Sequence, residues 1–139
     1  MRVITEDYVS FETALMLKEK GFREVCNRYY NAQFKEVRTV SDTFAMDWND
    51  EEHMRRIYMP GAVSIPTLQM AMKWLREEHN LFISIQPDFP SEDGYKMCWF
   101  WSADMLYQDS VNSKGCQFYV ATYERACESA IRYCLEKLI

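Results

Sequence analysis

The sequence predicts an α+β fold: an antiparallel β-sheet with two main helices packed on one face and an additional helix near the N-terminus. Three observations carry that prediction. Pro66–Asn80 (PTLQMAMKWLREEHN) has the apolar spacing of a helix, and Thr122–Ile139 (TYERACESAIRYCLEKLI) has it again. Between them lie runs of β-branched and aromatic residues bounded by Pro, Gly and Asn. The order helix, strands, helix closes with short connections when the strands are antiparallel and both helices lie on one side.

The central helix is the best-specified element. Pro66 lacks an N–H and suits a helix start, and Thr67 is a good N-cap. Leu68, Ala71, Met72 and Leu75 form the apolar stripe, widened by Met70 and Trp74. Lys73, Arg76, Glu77 and Glu78 make the wet side, and Asn80 can adopt the left-handed conformation that ends a helix.

Toward the N-terminus, residues 2–9 read as a short strand or extended arm. Ser10 caps a helix to Lys20, with Phe11, Ala14 and Leu15 facing inward and Gly21 followed by Phe22 as its stop. Cys26–Val40 has strand character, either as a hairpin turning at Asn31-Ala32 or as one long strand. Residues 41–65 are the least regular part. They offer a short helix near Asp50–Arg56, capped by Asn49 or Asp50, and a Pro60-Gly61 turn.

After the central helix, LFISIQ reads as a strand that stops at Pro87. Tyr95–Ser102 follows as a strand, Met105–Ser110 as another, Asn112–Gly115 as a turn and Cys116–Ala121 as the last strand. Thr122 then caps the closing helix. Its stripe is Tyr123, Ala126, Cys127, Ala130, Cys134 and Leu138, widened by Ile131 and Leu135. No Gly/Ser linker, repeat or low-complexity tract appears, so residues 1–139 are expected to form a single domain.

The motifs LKEKGF (Leu17–Phe22), PTLQMAMKWLRE (Pro66–Glu77) and TYERACESAIRYCLEKLI (Thr122–Ile139) resemble those of a family of small uncharacterised proteins from gut bacteria and their phages. The resemblance implies a mobile-element or prophage origin. It brings no activity and no site residues with it.

Composition narrows the function classes. Apolar residues make up 48% and aromatics 15%, too rich for a disordered chain. No apolar run approaches the ~20 residues of a membrane span, and the opening MRVITEDYVSFE lacks the apolar core of a signal peptide. The expected compartment is the cytoplasm. The net charge of −5 disfavours nucleic acid as a partner. The five cysteines include no CxxC pair and are expected to be reduced, small core residues.

Few residues suggest catalysis. His53 and His79 have no adjacent cysteine or catalytic signature. Asp47, Asn49 and Glu51 alternate like the start of a calcium loop, but Glu52 and Tyr58 stand where Gly and a bidentate Glu are required. They are expected to form a solvated acidic loop, as are Asp88, Glu92 and Asp93. Neither an enzyme nor a cofactor is expected.

The unusual feature is the strand Tyr95–Ser102. Tyr95, Met97, Trp99 and Trp101 alternate to one side, and Phe82 and Tyr119 on neighbouring strands extend that side if the registers match. Cover by the same chain is the first expectation for this side, and a homodimer or protein partner the second. Tyr95, Trp99, Trp101 and Tyr119 are the candidate aromatic interface. The expected function is a non-catalytic interaction or accessory protein. The alternative is a nucleic-acid-binding module with a helix–strands–helix core, in which exposed aromatics stack on bases.

Overall fold

The structure, a computed structural model, describes residues 4–88, 97–107 and 110–139. It is an α+β fold with two antiparallel three-stranded sheets, and it divides into two compact units, residues 1–67 and 68–139. The division falls between Thr67 and Leu68, at the start of the central helix, where no linker composition marks it.

The first unit opens with an extended arm. Tyr8 bridges to Thr67, and the Val9 N–H donates to the Pro66 carbonyl at 3.0 Å. Helix α1 (Phe11–Glu19) follows, with the Ser10 hydroxyl accepting from the Thr13 N–H as its cap. The helix ends in a Schellman motif. The Phe22 N–H donates to the Leu17 carbonyl and the Gly21 N–H to the Lys18 carbonyl. Gly21 supplies the left-handed φ of +92° that this motif requires. The buried face of α1 differs from the expected one. Thr13, Ala14 and Leu17 are buried, whereas Phe11 and Leu15 lie at the surface. Phe11 instead packs its ring 4.5 Å from that of Tyr30.

Strands β1 (Arg28–Asn31) and β2 (Glu36–Thr39) form a hairpin, which decides between the two alternatives for this segment. Asn31 makes the turn, its Oδ1 accepting from the N–H groups of Gln33 and Phe34. Helix α2 (Glu51–Arg56) is capped by Asp50, whose Oδ1 accepts from the His53 N–H. Strand β3 (Val63–Ser64) pairs with β1 and completes the sheet in the order β2-β1-β3.

A buried polar network ties the irregular 41–65 segment to the rest of this unit. Asn49 accepts from the Ser64 N–H at 2.9 Å and donates to the Phe22 carbonyl at 2.8 Å. The Trp48 N–H donates to the Ser64 hydroxyl, and its indole N–H donates to the Cys26 carbonyl. The Trp48 ring stacks on Tyr29 at 3.8 Å. Asn49 therefore ties its own segment to two others, giving a partner to a buried carbonyl on one and a buried N–H on the other.

The second unit is a helix, three strands and a helix. Helix α3 (Leu68–His79) buries Leu68, Ala71, Trp74 and Leu75, and Asn80 ends it at φ +55°. Strand β4 (Leu81–Asp88) pairs with β5 (Cys98–Tyr107), and β5 pairs with β6 (Ser110–Val120). β4 runs through Pro87, which pairs with Trp99. An edge strand tolerates proline because its outward side needs no ladder donor. Of the expected strand Met105–Ser110, Met105–Tyr107 is the end of β5 and Ser110 the start of β6, and residues 108 and 109 lie outside the described residues. Asn112–Gly115, expected as a turn, lies within β6.

Helix α4 (Tyr123–Tyr133) is capped by the Thr122 hydroxyl, which accepts from the Arg125 N–H, and continues as a wider turn over Cys134–Leu138. It buries Ala126, Cys127, Ala130, Ile131, Cys134 and Leu135. The Tyr133 hydroxyl donates to the Lys114 carbonyl at 2.8 Å. A Cβ on Gly115 would lie 2.5 Å from the Tyr133 ring, so glycine leaves the room this close approach needs.

Asn49→Ala should destabilise the first unit by about 2–5 kcal/mol, because a buried N–H and a buried carbonyl lose their partners together. Urea unfolding checks this, and a loss under about 0.5 kcal/mol would show that the amide is not structurally required.

Candidate interaction surface

The sheet of the second unit has one face against the helices. Directly paired residues share a face, so Leu81, Ile83 and Ile85 lie with Trp99, Trp101, Ala103 and Met105. α4 covers this side: the Trp99 ring meets Tyr123 edge-on at 5.3 Å, and the Trp101 ring lies 5.4 Å from Tyr133. Trp101 is 3% exposed and donates its indole N–H to Gln117 at 2.8 Å.

Of the aromatics expected as one interface, Trp99 and Trp101 share the helix-covered face and Tyr119 does not join them. Tyr95 lies outside the described residues. Trp101 is a core side chain and Trp99 packs on α4. Tyr119 is 73% exposed, and Phe82 pairs with Asp104, on the side away from Trp101.

The displacement of Tyr119 has a local cause. Trp99 pairs with Val120 but Trp101 pairs with Gln117, so Phe118 and Tyr119 together stand opposite the single residue Phe100. This is a β-bulge, and Tyr119 takes the left-handed conformation within it at φ +59°. A second irregularity sets Ala103 against Gly115 and Asp104 against Ser113, leaving Lys114 as the extra residue. A bulge breaks the two-residue alternation, so Phe118 and Tyr119 both stand in solvent.

The result is an aromatic row on the second face of the sheet. The Phe100 and Phe118 rings lie 4.6 Å apart and those of Phe118 and Tyr119 6.3 Å apart. Phe118 is 55% exposed and Tyr119 73%. Taking ~150–250 Å² for an aromatic side chain, the two leave roughly 200–300 Å² in water. Leu106 and Val111 pair with each other farther along the same face, beyond Ser102 and Asp104. The face positions on β4 and β5 include Asp88 and Asp104 and no Lys or Arg. Alternation alone could have found Phe100, which sits between the two tryptophans. Nothing in the sequence marks the bulge at Phe118-Tyr119.

The groups considered for catalysis have structural positions. All five cysteines are free thiols. Burial pushes the Cys26 and Cys134 thiols up to about 12, so both stay protonated at neutral pH and are poor nucleophiles. Cys98 donates to the Asp88 carbonyl, and Cys116 is exposed. His53 is exposed on α2, and His79 packs edge-on against Trp74 at 4.8 Å. Among the described residues, no group of three His, Cys, Asp or Glu is placed to hold a metal ion.

The Asp47–Glu51 stretch is built into the fold and is not simply solvated. Asp47 pairs with Arg23 at 2.6 Å and accepts from the Asn49 N–H. Arg23 also reaches Asp50 at 3.5 Å, and the Asp50 carboxyl is held below its ordinary range, chiefly by the His53 N–H it accepts. Glu51 pairs with Lys18 at 3.4 Å. No helix is long and apolar enough to cross a membrane among the described residues. No family model, curated protein or solved structure matches the chain.

Native protein treated with iodoacetamide near pH 8 should label Cys116 first, with Cys98 slower. Cys26, Cys127 and Cys134 should label only after unfolding. Peptide mapping by mass spectrometry reads the order, and equal labelling of Cys134 and Cys116 in the native state would contradict the placement of α4.

Proposed function

We propose that the protein is a non-catalytic interaction protein that pairs with a second copy of itself through the second face of the β4-β5-β6 sheet. The observation that carries this reading is the bulge in β6, which holds Phe118 and Tyr119 in solvent beside Phe100. Exposing such a row forfeits hydrophobic free energy, and an apolar partner recovers it. The described β4 and β5 positions of this face hold no Lys or Arg to select a phosphate or an acidic ligand. A two-fold contact needs only that the patch fit itself.

The size of the patch sets the strength. Burying Phe118 and Tyr119 on both copies removes roughly 400–600 Å², so the contact must extend over more of the face to reach the size of a specific one. A dimer of micromolar affinity or weaker is expected. The protonated thiols of Cys26 and Cys134 support a binding role over a thiol-based enzyme. The resemblance of three helix motifs to proteins of gut bacteria and their phages suits an accessory role on a mobile element. The cytoplasm, where five free thiols would stay reduced, is part of the same proposal.

Sedimentation velocity from about 1 to 500 µM should show a concentration-dependent dimer. Phe118→Ser with Tyr119→Ser should raise its Kd by at least about tenfold while leaving the circular dichroism unchanged. A wild-type monomer throughout, or a dimer indifferent to these changes, overturns the reading. Binding of labelled single-stranded RNA at about 50 mM salt that weakens in Phe100→Ala would replace it with the nucleic-acid alternative.

A further inference from the structure

Strand β4 is an edge. Among the described residues it pairs within its sheet with β5 alone, so its other side presents main-chain N–H and C=O groups. Edges are commonly protected by charge, proline or brevity. β4 has eight residues, and its run from Leu81 to Gln86 contains no charged residue. Pro87 guards only its final turn of ladder.

A groove of about 360 Å³ runs between this strand and α3. The two elements are joined at Asn80, so α3 doubles back along β4. The floor is apolar: Ile83 and Ile85, two residues apart on one face, with Met72. The rim is cationic, with Lys73 and Arg76 both exposed. Tyr123 lines the groove too, and its hydroxyl accepts from the Gln69 amide at 3.0 Å. Among the described residues no carboxylate lines the groove, although the chain as a whole carries a net charge of −5. The Glu77 carboxylate lies 3.8 Å from the Arg76 guanidinium, an exposed contact worth little and easily exchanged for a better one.

Three requirements of strand addition meet here: an unpaired edge, an apolar trough for alternate side chains, and a charged rim that selects sequence. We propose that this groove takes an extended acidic segment of another protein as a fourth strand beside β4. Main-chain bonds to the β4 edge give affinity. An apolar side chain of the segment rests on Ile83, Ile85 and Met72. Carboxylates two residues to either side share its face, because side chains alternate along a strand, and they reach Lys73 and Arg76. The acidic character follows from the rim, since a basic segment would meet two like charges there.

The test uses a fluorescein-labelled synthetic peptide of about seven residues, Thr-Glu-Thr-Val-Thr-Glu-Thr, whose valine and two glutamates share one face of a strand, read by anisotropy at ~50 mM salt. It should bind the full chain, weaken as salt rises, and lose at least about tenfold in affinity in Lys73→Glu with Arg76→Glu. The same peptide with lysine in place of both glutamates should not bind. N-methylation of the acidic peptide's backbone should abolish binding, which separates strand addition from ionic adhesion. Circular dichroism of the double variant controls for folding, and Lys73→Gln with Arg76→Gln should give an intermediate loss. Absence of binding up to about 1 mM, equal binding by the lysine peptide, indifference to the double variant, or full binding by the N-methylated peptide would each overturn the proposal. Phe118→Ser with Tyr119→Ser should leave peptide binding unchanged, so failure of the dimer and failure of this groove are distinguishable.

Discussion

A sheet has two faces, and the second unit brings helices to only one of them. That constraint governs the rest of residues 68–139. The side carrying Trp99, Trp101 and Ala103 is closed by α4, whose Tyr123 and Tyr133 supply aromatic contacts to both tryptophans. Every second residue of β5 must then point the other way. Phe100, placed between two core tryptophans, is therefore committed to the second face. Once it is there, the bulge in β6 determines what surrounds it. A regular strand would send only one of Phe118 and Tyr119 to that face. The left-handed residue Tyr119 leaves both outside.

The first unit is organised by a different force. Its sheet is small, with β3 only two residues long, and its middle segment holds only short elements. Backbone groups there cannot find partners in a ladder. Asn49, Ser64 and Trp48 supply them from side chains instead, and the stack of Trp48 on Tyr29 closes the apolar side of the same cluster. Buried amide groups are costly when half satisfied and specifying when fully satisfied. A segment with little secondary structure thereby acquires a fixed conformation.

These two situations explain what the sequence discloses and what it conceals. Local signals were legible. The caps at Ser10, Asp50 and Thr122, the stops at Gly21 and Asn80, and the stripes of α3 and α4 all follow from the chemistry of a few adjacent residues. Long-range consequences were not. Phe11, Ala14 and Leu15 looked like a buried stripe; packing buries Ala14 as expected but takes Thr13 and Leu17 in place of Phe11 and Leu15. Asn49 resembled part of a metal loop because its partners, Phe22 and Ser64, are remote in sequence. Asn112–Gly115 has turn composition, yet a bulge at Lys114 and the close approach of Tyr133 to Gly115 are uses of the same residues within a strand. Of the aromatic site, the density was evident but the side was not. A register shift in β6 is a property of the pairing and not of either strand alone.

The two proposed surfaces differ in which atoms do the work, and this makes them compatible. Contact through the second face uses side chains of β5 and β6: Phe100, Phe118 and Tyr119. Strand addition uses the main chain of β4, at the sheet edge farthest from β6, and side-chain positions on the helix-covered face. A dimer joined face to face therefore leaves both β4 edges accessible. Charge divides the roles in the same way. The described β4 and β5 positions of the aromatic face carry Asp88 and Asp104 and no cation, so that part of it disfavours acidic chains. The groove carries Lys73 and Arg76 and attracts them. A dimer of this kind would present two acid-selective edges, and linking two weak sites raises apparent affinity when the partner can reach both. Weak self-association and weak strand capture would then reinforce each other without contact between the sites.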